Sequence, residues 1–171
     1  ILVGSYWNNS ALAVKDLEAP YDANTIYNFH CYEPLIFTHQ AAPWVNHMPH
    51  DFHIAYPLPV GAYAKAAEEL GMWQAGEAKP GDEELISPEY FEKMFQVAID
   101  AAEERNAPLY CGEYGVIDIV PTADALEWFK VINAVFERHG IARCVWSYRA
   151  MDFGIADERW DILRDELLKV L

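Results

Sequence analysis

Four short apolar runs, each followed by a stretch with helical spacing, set the architecture open to this chain. The runs are Ile1 to Tyr6, Thr25 to Cys31, Pro108 to Cys111 and Ala142 to Ser147. None alternates polar with apolar residues, which is the pattern of parallel strands covered on both faces. After the first run, Ser10 is placed to cap a short helix through Leu17. After the second comes a long loop, then helical spacing from Gly61 to Leu70 and a polar break from Gln74 to Ile86. Ser87 as N-cap with Pro88 at the first helical position then opens a helix whose apolar face is Phe91, Met94, Phe95, Ala98 and Ala102. After the third run, Thr122 is placed to cap a helix with Leu126, Phe129, Ile132 and Phe136 on one face, closed by Gly140. After the fourth, Asp157 opens a last helix carrying Trp160, Leu163, Leu167 and Leu171. The predicted fold class is therefore α/β, a single domain of four parallel βα units over about 1–23, 24–106, 107–140 and 141–171, joined by right-handed crossovers. At 171 residues the chain is well short of the roughly 250 of a (β/α)₈ barrel.

A formal net charge of −15 argues against nucleic acid and against an anionic membrane surface as partners. No apolar run reaches the length of a membrane-spanning helix. A neutral, ring-shaped ligand suits this composition, because six Trp and ten Tyr supply flat faces for stacking. Cys31, Cys111 and Cys144 form no CxxC pair and read as buried free thiols without a redox or zinc role. The loop from Glu33 to Val60 carries His39 and the spacing His47-x-x-His50-x-x-His53, which invites a metal reading. Only Asp51 accompanies these histidines as a possible ligand, so the loop is read as solvated and flexible, and no metal or other cofactor is expected. The acidic stretch from Glu77 to Glu84 reads as a solvated face. The opening Ile1-Leu2-Val3 resembles the middle of a strand, which suggests a fragment or a processed product.

Each run ends in polar or aromatic residues: Trp7-Asn8, His30-Cys31-Tyr32, Gly112-Glu113 and Trp146-Ser147-Tyr148. In a parallel α/β sheet these ends gather on one face, where such folds keep their chemistry. Glu113 is the central residue, a lone carboxylate presented directly after an apolar strand and a glycine.

Taken together in order, these motifs resemble the C-terminal half of glycoside hydrolase family 5, the cellulase family. Ile1-Leu2-Val3-Gly4 with Trp7-Asn8 is similar to the fifth barrel strand of that family. His30-Cys31-Tyr32-Glu33-Pro34, with Phe37-Thr38-His39-Gln40 and Trp44, resembles the sixth strand and its loop. Gly112-Glu113-Tyr114-Gly115 resembles the seventh, and Trp146-Ser147-Tyr148-Arg149 with Met151-Asp152-Phe153-Gly154 the eighth. Ala41 stands where the family has Gly. The resemblance implies half of a (β/α)₈ barrel and a retaining β-glycan hydrolase of the endo-1,4-β-glucanase type, using two carboxylates about 5–5.5 Å apart. In that scheme Glu113 is the nucleophile, Tyr32 donates a hydrogen bond that aims it, and His30 contacts the nucleophile side or the sugar. Trp146 is the sugar platform, with Trp7, Asn8 and Trp44 as further substrate-binding residues, and the partner is a β-1,4-linked glucan or related oligosaccharide. A family-like location would be extracellular or periplasmic.

The family's acid/base Glu, which lies in an Asn-Glu-Pro stretch, has no counterpart in these 171 residues. Its substrate-positioning Arg and a His of the first half are missing too. General acid assistance is worth about 10²–10⁴ in rate, so weak or no turnover is expected of the chain alone. Asp152 and Glu33 are conceivable surrogate acids, and neither is favoured. An open inner sheet face and two unpaired strand edges imply self-association, most simply a homodimer that rebuilds eight strands, or a higher homo-oligomer. In such a dimer the two copies of Glu113 stand four strands apart and cannot act as a pair. The alternatives are a non-catalytic carbohydrate-binding module and a purely structural half-barrel folding unit.

Overall fold

The computed structural model describes residues 1–5, 9–72 and 78–171. Four strands, β1 (Leu2–Gly4), β2 (Ile26–Cys31), β3 (Leu109–Tyr114) and β4 (Ala142–Val145), form one sheet in the order β1-β2-β3-β4. Every pairing is parallel, with Leu2 opposite Ile26, Tyr27 opposite Leu109 and Tyr110 opposite Ala142. The helices are α1 (Leu35–Thr38), α2 (Val60–Glu69), α3 (Pro88–Glu104), α4 (Thr122–His139) and α5 (Arg164–Val170), with 3₁₀ segments at Ala11–Asp16 and Glu158–Trp160.

The strands are covered on one face, not both. Tyr27, Phe29, Cys31, Leu109, Cys111 and Tyr114 are buried beneath the helices, whereas Leu2 and Ile26 on the opposite face are 54% and 38% exposed. The covered side is an aromatic stack. Phe95 of α3 sits 5.1 Å from Phe29 and 5.8 Å from Phe136 of α4, and Tyr114 packs 5.2 Å from Phe136. Burying each such ring is worth roughly 1.5–3 kcal/mol. The phenol of Tyr114, which would otherwise be stranded there, donates to Asn133 Oδ1 at 3.0 Å. The Arg105 guanidinium, just past α3, donates to the carbonyls of Leu17 at 2.7 Å and Lys15 at 2.8 Å, tying the first 3₁₀ segment down.

The helix ends show which local signals decide. Ser87 accepts from the Tyr90 amide at 3.3 Å, with Pro88 leading α3. Gly140 ends α4 in the left-handed conformation, φ 61°. Thr122 is the first residue of α4 and not its cap, a position taken by Pro121. The segment after Ser10 winds as a 3₁₀ helix and Ser10 makes no side-chain cap bond; the chain there runs beside β2 instead, with the His30 amide donating to Asn9 O at 2.8 Å. The last helix begins at Arg164, because Asp157 turns its carboxylate back to the Ala150 amide and opens only a 3₁₀ turn.

The stretch from Glu33 to Val60 is more ordered than a solvated loop. It contains α1, buries Met48 and Tyr56, and is cross-braced by Gln40, whose amide exchanges two hydrogen bonds with the Ile54 backbone at 3.0 and 3.3 Å. His47, His50 and His53 are exposed, and among the described residues no three His, Cys, Asp or Glu side chains converge where a metal could sit. Cys31 and Cys111 are buried free thiols, but Cys144 is exposed, because it lies on the uncovered face of β4. No described helix is long and apolar enough to cross a membrane.

Candidate active site

β2 and β3 bring His30 and Glu113 side by side as register partners across the sheet. Gly112 leaves the space that the Asn28 side chain takes up: a Cβ there would stand 2.3 Å from Asn28 Oδ1 on the neighbouring strand. The Tyr32 phenol donates to Glu113 Oε2 at 3.1 Å, and His30 Nδ1 lies 3.5 Å from the same oxygen. One carboxylate oxygen is thus held by a phenol and flanked by an imidazole.

Tyr32 is itself held from several sides. Its amide donates to Glu33 Oε2 at 3.1 Å and its carbonyl accepts from Thr38 Oγ1 at 2.5 Å. Its ring stands edge-on to His39, with centroids 4.8 Å apart, and to Phe153 at 6.0 Å. Burial, reinforced by the Glu113 carboxylate, pushes the Tyr32 phenol far above its ordinary range, so it remains a proton donor to Glu113 at any working pH. Glu33 turns away from Glu113, accepting from the Tyr32 amide and from the Cys31 thiol at 3.3 Å, and burial raises its pKa.

In front of Glu113 opens a cavity of about 360 Å³ lined by Tyr32, His39, Trp44, Glu113, Trp146, Met151, Asp152 and Phe153. Trp44 and Trp146 are 53% and 36% exposed and present their indoles to it. Trp146 is positioned by β3, since its amide donates to Tyr114 O at 2.9 Å. Gly115 permits this contact: a Cβ there would lie 2.2 Å from Trp146 O.

Of the residues singled out from the sequence, Glu113, Tyr32, Trp146 and Trp44 meet at this cavity, and His30 joins them through Glu113. Trp7 and Asn8 lie outside the described residues. His39 was grouped with the loop histidines, yet it stands in the cavity wall, 5.1 Å from Phe153 and 6.5 Å from Trp44 between ring centroids. Burial lowers its pKa to about 4, so it is a neutral imidazole near pH 7. Met151 and Phe153 enter the sequence reading only within the eighth-strand motif, and Asp152 there and as a surrogate acid, none of them as a sugar-binding residue. The available signal was their position just beyond the end of β4, in the same place relative to their strand as His39 is to β2.

Residues 1–152 match the sequence profile of the cellulase family, glycosyl hydrolase family 5. The chain belongs to this family. It is similar to cellodextrinase A of Ruminococcus flavefaciens, 46% identical over 143 residues, covering 84% of this chain and 35% of the relative. It is also similar to endoglucanase C of Acetivibrio thermocellus, 30% identical over 100% of this chain and 50% of the relative. Among solved structures, Cel5A of Thermotoga maritima in complex with cellobiose shares the fold, with a TM-score of 0.66 and 20% identity over 99% of this chain and 47% of that one. This cellulase-family chain therefore spans between about a third and a half of the length of the relatives it matches. Its four parallel strands alternating with helices correspond to about half of a barrel endoglucanase.

Proposed function

We propose that this chain carries the nucleophile side of a retaining β-glycan hydrolase of the endo-1,4-β-glucanase type. Glu113 attacks the anomeric carbon of a bound sugar as the glycosidic C–O bond breaks and its electron pair departs on the leaving-group oxygen, which leaves a glycosyl ester on Glu113. Tyr32 and His30 orient it, and Trp146 and Trp44 offer platforms for the apolar faces of the pyranose rings. The observation that carries this reading is the Tyr32 hydrogen bond to Glu113 at 3.1 Å, at the wall of a cavity lined by two accessible indoles. Family membership supports it.

The carboxylates among the residues lining that cavity are Glu113 and Asp152. With no Asn-Glu-Pro acid/base in the 171 residues, we expect this chain by itself to turn over natural glycosides weakly or not at all. The nucleophilic step can still be tested in isolation. A dinitrophenyl 2-deoxy-2-fluoro-β-cellobioside has a leaving group that needs no proton, and its fluorine slows release of the ester. Incubation is expected to add one fluorocellobiosyl group at Glu113, detected by peptide mass spectrometry and abolished by Glu113→Gln. If cello-oligosaccharides bind but no label forms, the chain acts instead as a non-catalytic carbohydrate-binding unit.

The same reading extends to assembly. We propose that the 171-residue chain self-associates through the uncovered sheet face, where Leu2, Ile26, Ala142 and Cys144 are exposed, and through the free edges of β1 and β4. A homodimer closed in this way would keep the two copies of Glu113 apart, consistent with binding in preference to turnover.

A further inference from the structure

Beyond Glu113, the cavity lining carries one more carboxylate, and it has no task in the fold. Asp152 lines the same space as Trp44, Trp146 and Glu113, and its side chain is exposed. Its carboxylate has no hydrogen bond or ion pair among the described residues. Asp152 also faces Asp118, whose pKa burial raises most and the Asp152 carboxylate raises further. Two other titratable lining groups are engaged: Tyr32 donates to Glu113, and the His39 ring is packed between aromatic neighbours and bonded to Thr38.

The backbone that carries Asp152 is costly and deliberately held. Ala150, Met151 and Asp152 are three successive left-handed residues, with φ of 58°, 56° and 62°. Side-chain-bearing residues disfavour that region, and all three here are exposed, so no burial compensates. Neighbours fix the turn on both sides. The Ala150 amide donates to both oxygens of Asp157, at 3.2 and 3.1 Å, and the Ser147 hydroxyl donates to Ala150 O at 2.8 Å. The Asp118 amide donates to Asp152 O at 2.6 Å. Asp157 reaches the turn only because residue 154 is glycine, since a Cβ there would stand 1.9 Å from its Oδ2. A strained, exposed turn that its surroundings over-determine is the kind of feature found at ligand sites.

We propose, resting on the reading of this cleft as a β-glycan site, that Asp152 is a sugar-binding residue that grips adjacent hydroxyls of one pyranose unit through its two carboxylate oxygens. A carboxylate only accepts hydrogen bonds, and vicinal hydroxyls supply two donors at a spacing it can match. Trp44 and Trp146 then take the apolar ring face while Asp152 sets which way the ring is turned. Asp157 is the positioning residue that places it.

The test is titration calorimetry of the 171-residue chain with cellotetraose, run on wild type, Asp152→Gly and Asp152→Asn beside thermal melts. Glycine removes the carboxylate and suits a left-handed position, so Tm is expected to hold or rise. Affinity is expected to fall about tenfold to hundredfold with glycine, the range for a hydrogen bond to a charged group, and less with asparagine, which keeps one acceptor. Unchanged affinity in Asp152→Gly would overturn the proposal, as would a loss of affinity matched by a fall in Tm. If wild type binds no cellotetraose yet is labelled at Glu113, the Asp152 proposal fails and the nucleophile reading stands. If binding depends on Asp152 but no label forms, the sugar-binding role stands and the catalytic reading fails.

Discussion

Tyr32 and Glu113 are 81 positions apart in sequence, and their 3.1 Å hydrogen bond exists because β2 and β3 are neighbours in register. Glu113 was legible because a carboxylate directly after an apolar strand and a glycine has little structural reason to be there. Tyr32 and His30 were legible from their places at the end of the preceding strand. The place of His39 and Asp152 in the cavity wall was not, although both stand in the motifs quoted from the sequence, because their side chains reach the cavity through the path of a loop, and periodicity carries no information about that path. His39 now supplies a prediction. Its pKa of about 4 in the folded chain is below the 6.5 of an exposed imidazole, so between those values the unfolded chain binds more protons. Its contribution to stability is complete above pH 6.5 and is lost as pH falls toward 4, by about 3 kcal/mol in all. Glu33, whose pKa burial raises, acts in the opposite sense as pH rises above the ordinary carboxylate range. The two are separated by comparison with His39→Gln. Urea unfolding at pH 7 and pH 4.5 is expected to show a smaller loss of stability in the variant than in wild type; equal losses would contradict the buried, neutral placement of His39.

At the scale of elements, helices with complete end signals were readable. Ser87 and Pro88 open α3 where expected, and Gly140 closes α4. The 3₁₀ segments were misread as helix starts because Ser10 and Asp157 are both good N-cap residues. In the fold the Ser10 side chain makes no cap bond while its segment runs beside β2, and Asp157 holds the Ala150 amide. The apolar runs alone were read as covered on both faces, although the count of four strands already implied the open inner face that Leu2 and Ile26 occupy. A short apolar run looks alike whether one or both faces are covered, and Leu2 and Ile26 carry no mark of being on the open side. What holds the elements together is the ring stack on the covered side. Phe95 touches rings from both the sheet and α4, so Phe95→Ala should cost about 3–5 kcal/mol in chemical denaturation. A loss under 1 kcal/mol would mean that α3 does not pack on the sheet through this residue.

Among the described residues the sheet has one covered face, one open face and edges at β1 and β4. The whole chain also carries a net charge of −15, which opposes the approach of a second copy. The proposed self-association, if it buries the open face, should strengthen with salt, because screening removes repulsion while leaving that burial intact. Sedimentation at rising protein concentration should show a monomer–oligomer equilibrium that shifts toward the oligomer between low and moderate salt. The exposed Cys144 thiol should lose reactivity in step. A single monomer at all concentrations and salt levels, with Cys144 freely reactive throughout, would count against it. The most direct test of the account as a whole remains at the cleft: mass spectrometry of the chain after exposure to the dinitrophenyl fluorocellobioside. A single added fluorocellobiosyl group on the peptide containing Glu113, absent from Glu113→Gln, is the predicted result. An unlabelled chain, or a label carried elsewhere and untouched by that substitution, would contradict the assignment of Glu113 as nucleophile.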